Sequence, residues 1–137
     1  MNAVALPTIL HIDDNDADLE FTQEAWSEYG SPATFLVARD GEAGIKRIQA
    51  MLARPTKLPD LILLDLSLPK VSGHDVLTYI RRQPALAQVP VVILTGTPTL
   101  EERARSLALG ATDHITKPTG MTETIAMITR LKSILVH

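Results

Sequence analysis

Five short apolar runs recur along the chain, each followed by a segment with helical spacing. They are TILHI (Thr8–Ile12), TFLV (Thr34–Val37), LILL (Leu61–Leu64), VVIL (Val91–Leu94) and the weaker DHIT (Asp113–Thr116). LILL and VVIL contain no polar residue, which predicts strands covered by helices on both faces. The intervening helices are expected over 16–29, 40–52, 74–83, 100–109 and 121–135. The first carries acidic residues early, where the helix dipole favours them. The second opens on Asp40, a plausible cap, and repeats apolar residues at Ile45, Ile48 and Leu52. The fourth stops at Gly110. In the last, Met121, Ile125, Ile128, Leu131 and Leu135 mark the expected core face. Strand and helix alternating five times over predict one α/β domain across residues 1–137, a five-stranded parallel sheet with helices on both faces. ARPTKLP (Ala53–Pro59) reads as a surface connector.

Composition narrows the possible functions. At 137 residues, 45% hydrophobic and 21% charged, the chain is globular in character and long enough to bury a core. A net charge of -3 argues against a sequence-independent grip on nucleic acid. The absence of cysteine excludes disulfides, zinc–thiolate sites and thiol catalysis. MNAVALP lacks the basic start and apolar core of a signal peptide, and no apolar stretch is long enough to span a bilayer. A cytoplasmic location is therefore expected.

In open parallel sheets, ligands gather at the carboxyl ends of the strands. There the first strand is followed by Asp13 and Asp14, the third by Asp65, the fourth by Thr95 and the fifth by Lys117. Two carboxylates about 4 Å apart repel by roughly 4 kcal/mol at an effective dielectric near 20, so three need a cation among them. An all-oxygen ligand set favours a hard ion such as Mg²⁺, which also takes phosphate oxygens. Lys117 can pair with a carboxylate at rest and with a phosphoryl group once one arrives, and Thr95 can donate to the same oxygens. Gly96 leaves a ligand room to approach the backbone.

The ordered set formed by Asp13-Asp14, Asp65 in LLDLSLPKVSG, Thr95 after an apolar strand, and Lys117-Pro118 resembles the response-regulator receiver domains of two-component signalling, over nearly the whole chain. The resemblance implies a flavodoxin-like (βα)5 fold. It implies that Asp65 accepts a phosphoryl group from a sensor histidine kinase, and that Asp13, Asp14, Asp65 and the Ser67 backbone carbonyl hold Mg²⁺. Lys117 would pair with the phosphate and Thr95 would be the switch hydroxyl. Ser67 and Thr97 occupy positions that modulate dephosphorylation in the family. His114 stands where receivers usually carry a Tyr or Phe that turns inward on activation, and its added polarity is expected to make the inward position less favoured or pH-dependent. Such a protein is a phosphoacceptor rather than an enzyme with a substrate of its own.

Other readings fit less well. An EF-hand starting at Asp14 lacks the glycine at its sixth position, which is Leu19, and the glutamate at its twelfth, which is Ala25. Aspartate-nucleophile phosphohydrolases carry a second catalytic Asp where this chain has Ser67. A pseudo-receiver that never accepts phosphate is the remaining alternative. Asp16, Asp18 and Glu20 read as dipole-favoured residues of the first helix. His11, His74 and His137 show no phosphotransfer context, and Trp26 and Tyr29 read as packing residues. Only 19 residues follow Pro118, enough for the last helix, so no effector domain is expected. Output would then pass to a downstream protein target or a phosphotransfer protein. DDNDADLEFTQEA, LPDLILLDLSLPKVSGHDVL and the long connector resemble regulators paired with bacterial phytochrome histidine kinases. Met127 and Ile134, off the apolar stripe of the last helix, suggest a homodimer through the C-terminal region.

Overall fold

A computed structural model describes residues 6–54 and 58–136. The middle of the connector, the first five residues and His137 lie outside the described residues. Five strands form one parallel sheet: β1 (Thr8–Ile12), β2 (Thr34–Ala38), β3 (Leu61–Leu64), β4 (Val91–Thr95) and β5 (Asp113–Thr116). The helices are α1 (Asp16–Tyr29), α2 (Gly41–Leu52), α3 (Gly73–Arg81), α4 (Leu100–Ala108) and α5 (Met121–Val136). Strand order is β2-β1-β3-β4-β5, so the chain reverses its direction of winding between β1 and β3. That reversal opens a crevice at the carboxyl ends of those two strands.

Side-chain alternation sorts the core into two layers. Leu10, Ile12, Ile62, Leu64, Val91 and Ile93 pack with Ile48 of α2 and Val76, Leu77 and Ile80 of α3. The alternate residues Ile9, Leu61, Leu63, Val92 and Leu94 pack with Ala25 and Trp26 of α1 and Met127, Ile128 and Leu131 of α5. Every residue of β3 and β4 is buried, as their continuously apolar sequences predict. Burying an aliphatic side chain contributes about 1.5–3 kcal/mol, so both layers stabilise the fold substantially.

Helix starts follow local chemistry. Asn15 accepts from the Asp18 N–H at 3.0 Å and Asp40 from the Ala43 N–H at 2.7 Å. Thr99 and Glu102 form a reciprocal capping box at α4. The third helix ends earlier than periodicity predicts, at Arg81. Gln83 precedes a proline and is extended, and a 3-10 turn over Pro84–Leu86 follows.

The last helix corrects the sequence reading. Its buried face is Thr124, Met127, Ile128 and Leu131, whereas Met121 is 70% exposed. Met127 is 3% exposed, so it belongs to the core, and Ile134 is partly buried against the same core. Of the expected stripe, Ile128, Leu131 and Leu135 pack in the core, while Met121 and Ile125 are exposed and Met127 takes the core position instead. A helix rich in apolar residues all round gives periodicity little to choose between, and contact with α1 decides its rotation.

Candidate functional site

Asp13 leaves β1 with the parity of Ile9 and His11, and its backbone is pinned by an N–H donated to the Ala38 carbonyl at 3.0 Å. Asp65 leaves β3 with its N–H bonded to the Ile12 carbonyl at 3.0 Å. These two bonds extend the ladder past the ends of both strands and bring the carboxylates together across the crevice. One oxygen each from Asp13, Asp14 and Asp65 lie within 4.8 Å of one another. Gly73 maintains the approach from α3, because a Cβ there would overlap the Asp65 carbonyl oxygen and the Leu66 Cα. A Cβ on Gly96 would meet nothing within 4 Å, so the loop after β4 leaves open space over the site. Asp14, Asn15, Asp18, Asp65, Ser67 and Thr95 line a cleft of about 320 Å³ there, with Lys117 at its wall.

Asp65 is almost fully buried and both its oxygens are engaged. Thr95 Oγ1 donates to Oδ1 at 3.0 Å, the Ser67 N–H to Oδ1 at 3.2 Å, and Lys117 Nζ to Oδ2 at 2.9 Å. Lys117 also donates to Asp18 Oδ2 at 2.6 Å, and its Nζ stands 2.9 Å from Asp13 Oδ2. Burial opposes the charge on Lys117, but the Asp18, Asp13 and Asp65 carboxylates around it outweigh this and hold the ammonium well above its ordinary pKa. Burial pushes the Asp13 carboxyl up, against the Asn15 N–H and Lys117, which favour its charged form.

The donor set fits a hard cation. Four carboxylates, on Asp13, Asp14, Asp18 and Asp65, face one ammonium. Asp13 Oδ2 is buried and accepts no aligned hydrogen bond, since Lys117 reaches it as an ion pair off the bonding direction. A divalent ion between Asp13, Asp14 and Asp65 would satisfy that oxygen and offset the repulsion.

All the side chains singled out in the sequence therefore converge, apart from His114, which lies on the other face of the sheet. In parallel register it pairs with Ile93, so it points toward α3 and α4 while Lys117, three residues on, points toward α1. His114 is 2% exposed, so the polar ring is buried in this structure. Neither of its ring nitrogens has a hydrogen-bond partner among the described residues. Burial lowers its pKa, and the nearby Arg103 lowers it further, both favouring the neutral ring. His74 sits in the same layer, with Nε2 2.9 Å from Ser106 Oγ.

The sequence reading missed one contact. Asp18, taken as a dipole-favoured helix residue, is the nearest partner of Lys117, across 99 positions of sequence. Only its place in the first turn of α1, just after Asp13-Asp14, could have hinted at this. Asp16, two residues earlier, pairs instead with Arg39 at 2.6 Å, at the surface.

Comparison with known proteins agrees with this arrangement. The response regulator Rcp1 of Synechocystis sp. is 31% identical over 91% of this chain and 86% of its own length. A probable methanogenesis regulatory protein of Methanothrix harundinacea, FilR2, is 33% identical over 80% of this chain and 71% of its own. Among solved structures, the phosphorylated cyanobacterial phytochrome response regulator RcpA superposes with a TM-score of 0.84 at 30% identity, covering 96% of this chain and 95% of its own. The Mn²⁺-bound form of Rcp1 superposes at 0.79 and 30% identity, over 93% and 92%. Residues 9–129 match the response regulator receiver domain family, and the chain, with its parallel sheet in the order 2-1-3-4-5 and its acidic cluster at the carboxyl edge, belongs to that family.

Proposed function

We propose that Asp65 accepts a phosphoryl group from a phosphohistidine of a sensor histidine kinase, and that the aspartyl phosphate alters the protein-binding surface of the domain. The observation that carries this reading is the environment of the Asp65 carboxylate, buried among the acidic pair, Lys117 and Thr95. A carboxylate oxygen of Asp65 would attack phosphorus; a P–O bond forms, the P–N bond breaks, and the departing imidazole keeps the electron pair and takes a proton from solvent. Lys117 and Thr95, already bonded to Asp65, are placed to meet the transferred oxygens. Asp13, Asp14 and Asp65, with the Ser67 carbonyl, would hold Mg²⁺, which supplies further positive charge against those oxygens. Similarity to Rcp1 and RcpA supports a phytochrome-type kinase as the donor, and the Mn²⁺-bound form of Rcp1 supports a divalent ion.

Incubation with a small acyl-phosphate donor tests this, in Mg²⁺ or with chelator, on the wild type and Asp65→Asn. Label on the wild type alone, lost with chelator, is the expected result. Equal label on the variant would remove Asp65 from the role, and no label on either protein would favour a receiver fold that only binds partners.

A further inference from the structure

We infer that Asp18 is a positioning residue that competes with the phosphoryl group for Lys117 and so slows phosphorylation. The inference rests on Asp65 being the acceptor, and it concerns a residue outside the acidic cluster. Lys117 faces three carboxylates, and Asp18 is the nearest, at 2.6 Å against 2.9 Å for Asp13 and for Asp65. Asp13 and Asp65 belong to the group able to hold a cation; Asp18 does not. With a divalent ion between them, Asp13 and Asp65 are partly neutralised and their pull on the ammonium weakens. Asp18 alone keeps its full charge. It also keeps its position, because its backbone N–H is bonded to the Asn15 cap at the fixed start of α1.

A phosphoryl group arriving at Asp65 needs the ammonium on its own oxygens. To get there, Lys117 must give up its bond to Asp18 or stretch it. A charge-assisted hydrogen bond of this kind is strong, but Asp18 is 38% exposed, so solvent screening reduces what is lost. The balance gives an expected change of about fivefold in rate on removing Asp18.

The experiment measures initial rates of labelling by the small acyl-phosphate donor at saturating Mg²⁺. Full-length wild type, D18N, D18A, D18E and D16N are compared, with folding followed by circular dichroism and Mg²⁺ affinity by calorimetric titration. D18N and D18A are expected to label about fivefold faster with Mg²⁺ affinity within about twofold. D18E is expected to return toward the wild-type rate, because it restores the anion. D16N removes the same charge two residues away, where the carboxylate pairs with Arg39 and not Lys117, and its rate should stay near wild type. Unchanged or slower labelling by D18N and D18A would overturn the inference while leaving Asp65 in place. An equal gain in D16N would also overturn it, since the charge near an anionic donor would then be enough. Failure of D18E to slow the reaction would count against it too. Absence of label on the wild type would overturn the reading of Asp65, and this inference with it.

Discussion

The two faces of β5 bury polar side chains on opposite terms. Toward α1, Lys117 meets Asp13, Asp18 and Asp65, and charge is held in place by opposite charge. Toward α4, His114 is buried with neither ring nitrogen bonded, beside a single His74–Ser106 contact. Ser106 is the buried residue of α4, while Leu100 of the same helix is 88% exposed. Charges near each other in a partly buried site lock a geometry, because removing one leaves the rest uncompensated. An unpartnered neutral ring locks nothing and costs free energy. The charged side is thus the one proposed to accept the phosphoryl group, and α4, whose buried residue is Ser106, lies over the polar layer on the other.

The largest expected effect breaks the first side. Lys117→Met leaves Asp13 and Asp65 buried without their cation, and should destabilise the fold by about 3 kcal/mol in urea titrations without metal. Mg²⁺, proposed to bind the folded site, should return part of that loss. A variant as stable as wild type without metal would show that Lys117 does not offset the repulsion between the carboxylates.

A comparable effect comes from His11, buried beneath Asp13 with its Nε2 3.8 Å from Asp13 Oδ2. Burial, followed by Lys117, lowers its pKa from 6.5 to about 4, against smaller opposing contributions from Asp65 and Asp18. A histidine whose folded pKa is depressed stays neutral in the fold while the unfolded chain takes up a proton. Its contribution is therefore intact above pH 6.5 and is lost as pH falls from there to about 4, by about 3 kcal/mol in all. His11→Leu should flatten that part of the stability profile; an unchanged profile would assign the acid loss elsewhere.

On the α4 side the effects should be smaller and of both signs. His114→Phe keeps a flat ring and removes two orphaned nitrogens, so it should raise stability by about 1 kcal/mol, seen as a higher midpoint in urea. Ser106→Ala deletes the partner of His74 and should lower stability by about 1 kcal/mol. If both variants lose stability alike, the α4 layer is as well partnered as the site, and the contrast between the two faces disappears.

Much of this was legible in the sequence because its periodicities are strong where burial is complete. β1, β3 and β5 fall where the apolar runs place them, and α1 spans the range expected of it. The strand-end rule was enough to bring Asp13, Asp14, Asp65, Thr95 and Lys117 to one edge, since each directly follows or ends a strand whose neighbours topology fixes. What was not legible shares a cause. The start of the buried face of α5 and the bond from Lys117 to Asp18 depend on what stands opposite a side chain, which one-dimensional spacing does not contain.

The sequence by itself determined the order of strands and helices, the alternation that divides each strand between two layers, and the residue types gathered at the carboxyl edge. These follow from local propensity and from the parity of a pleated strand. Tertiary structure alone decided which carboxylates share the ammonium, which face of α5 is core, and which polar rings lie buried without partners. Those outcomes depend on distances of a few ångströms between segments up to 99 residues apart, and electrostatic and packing energies change most steeply over such distances.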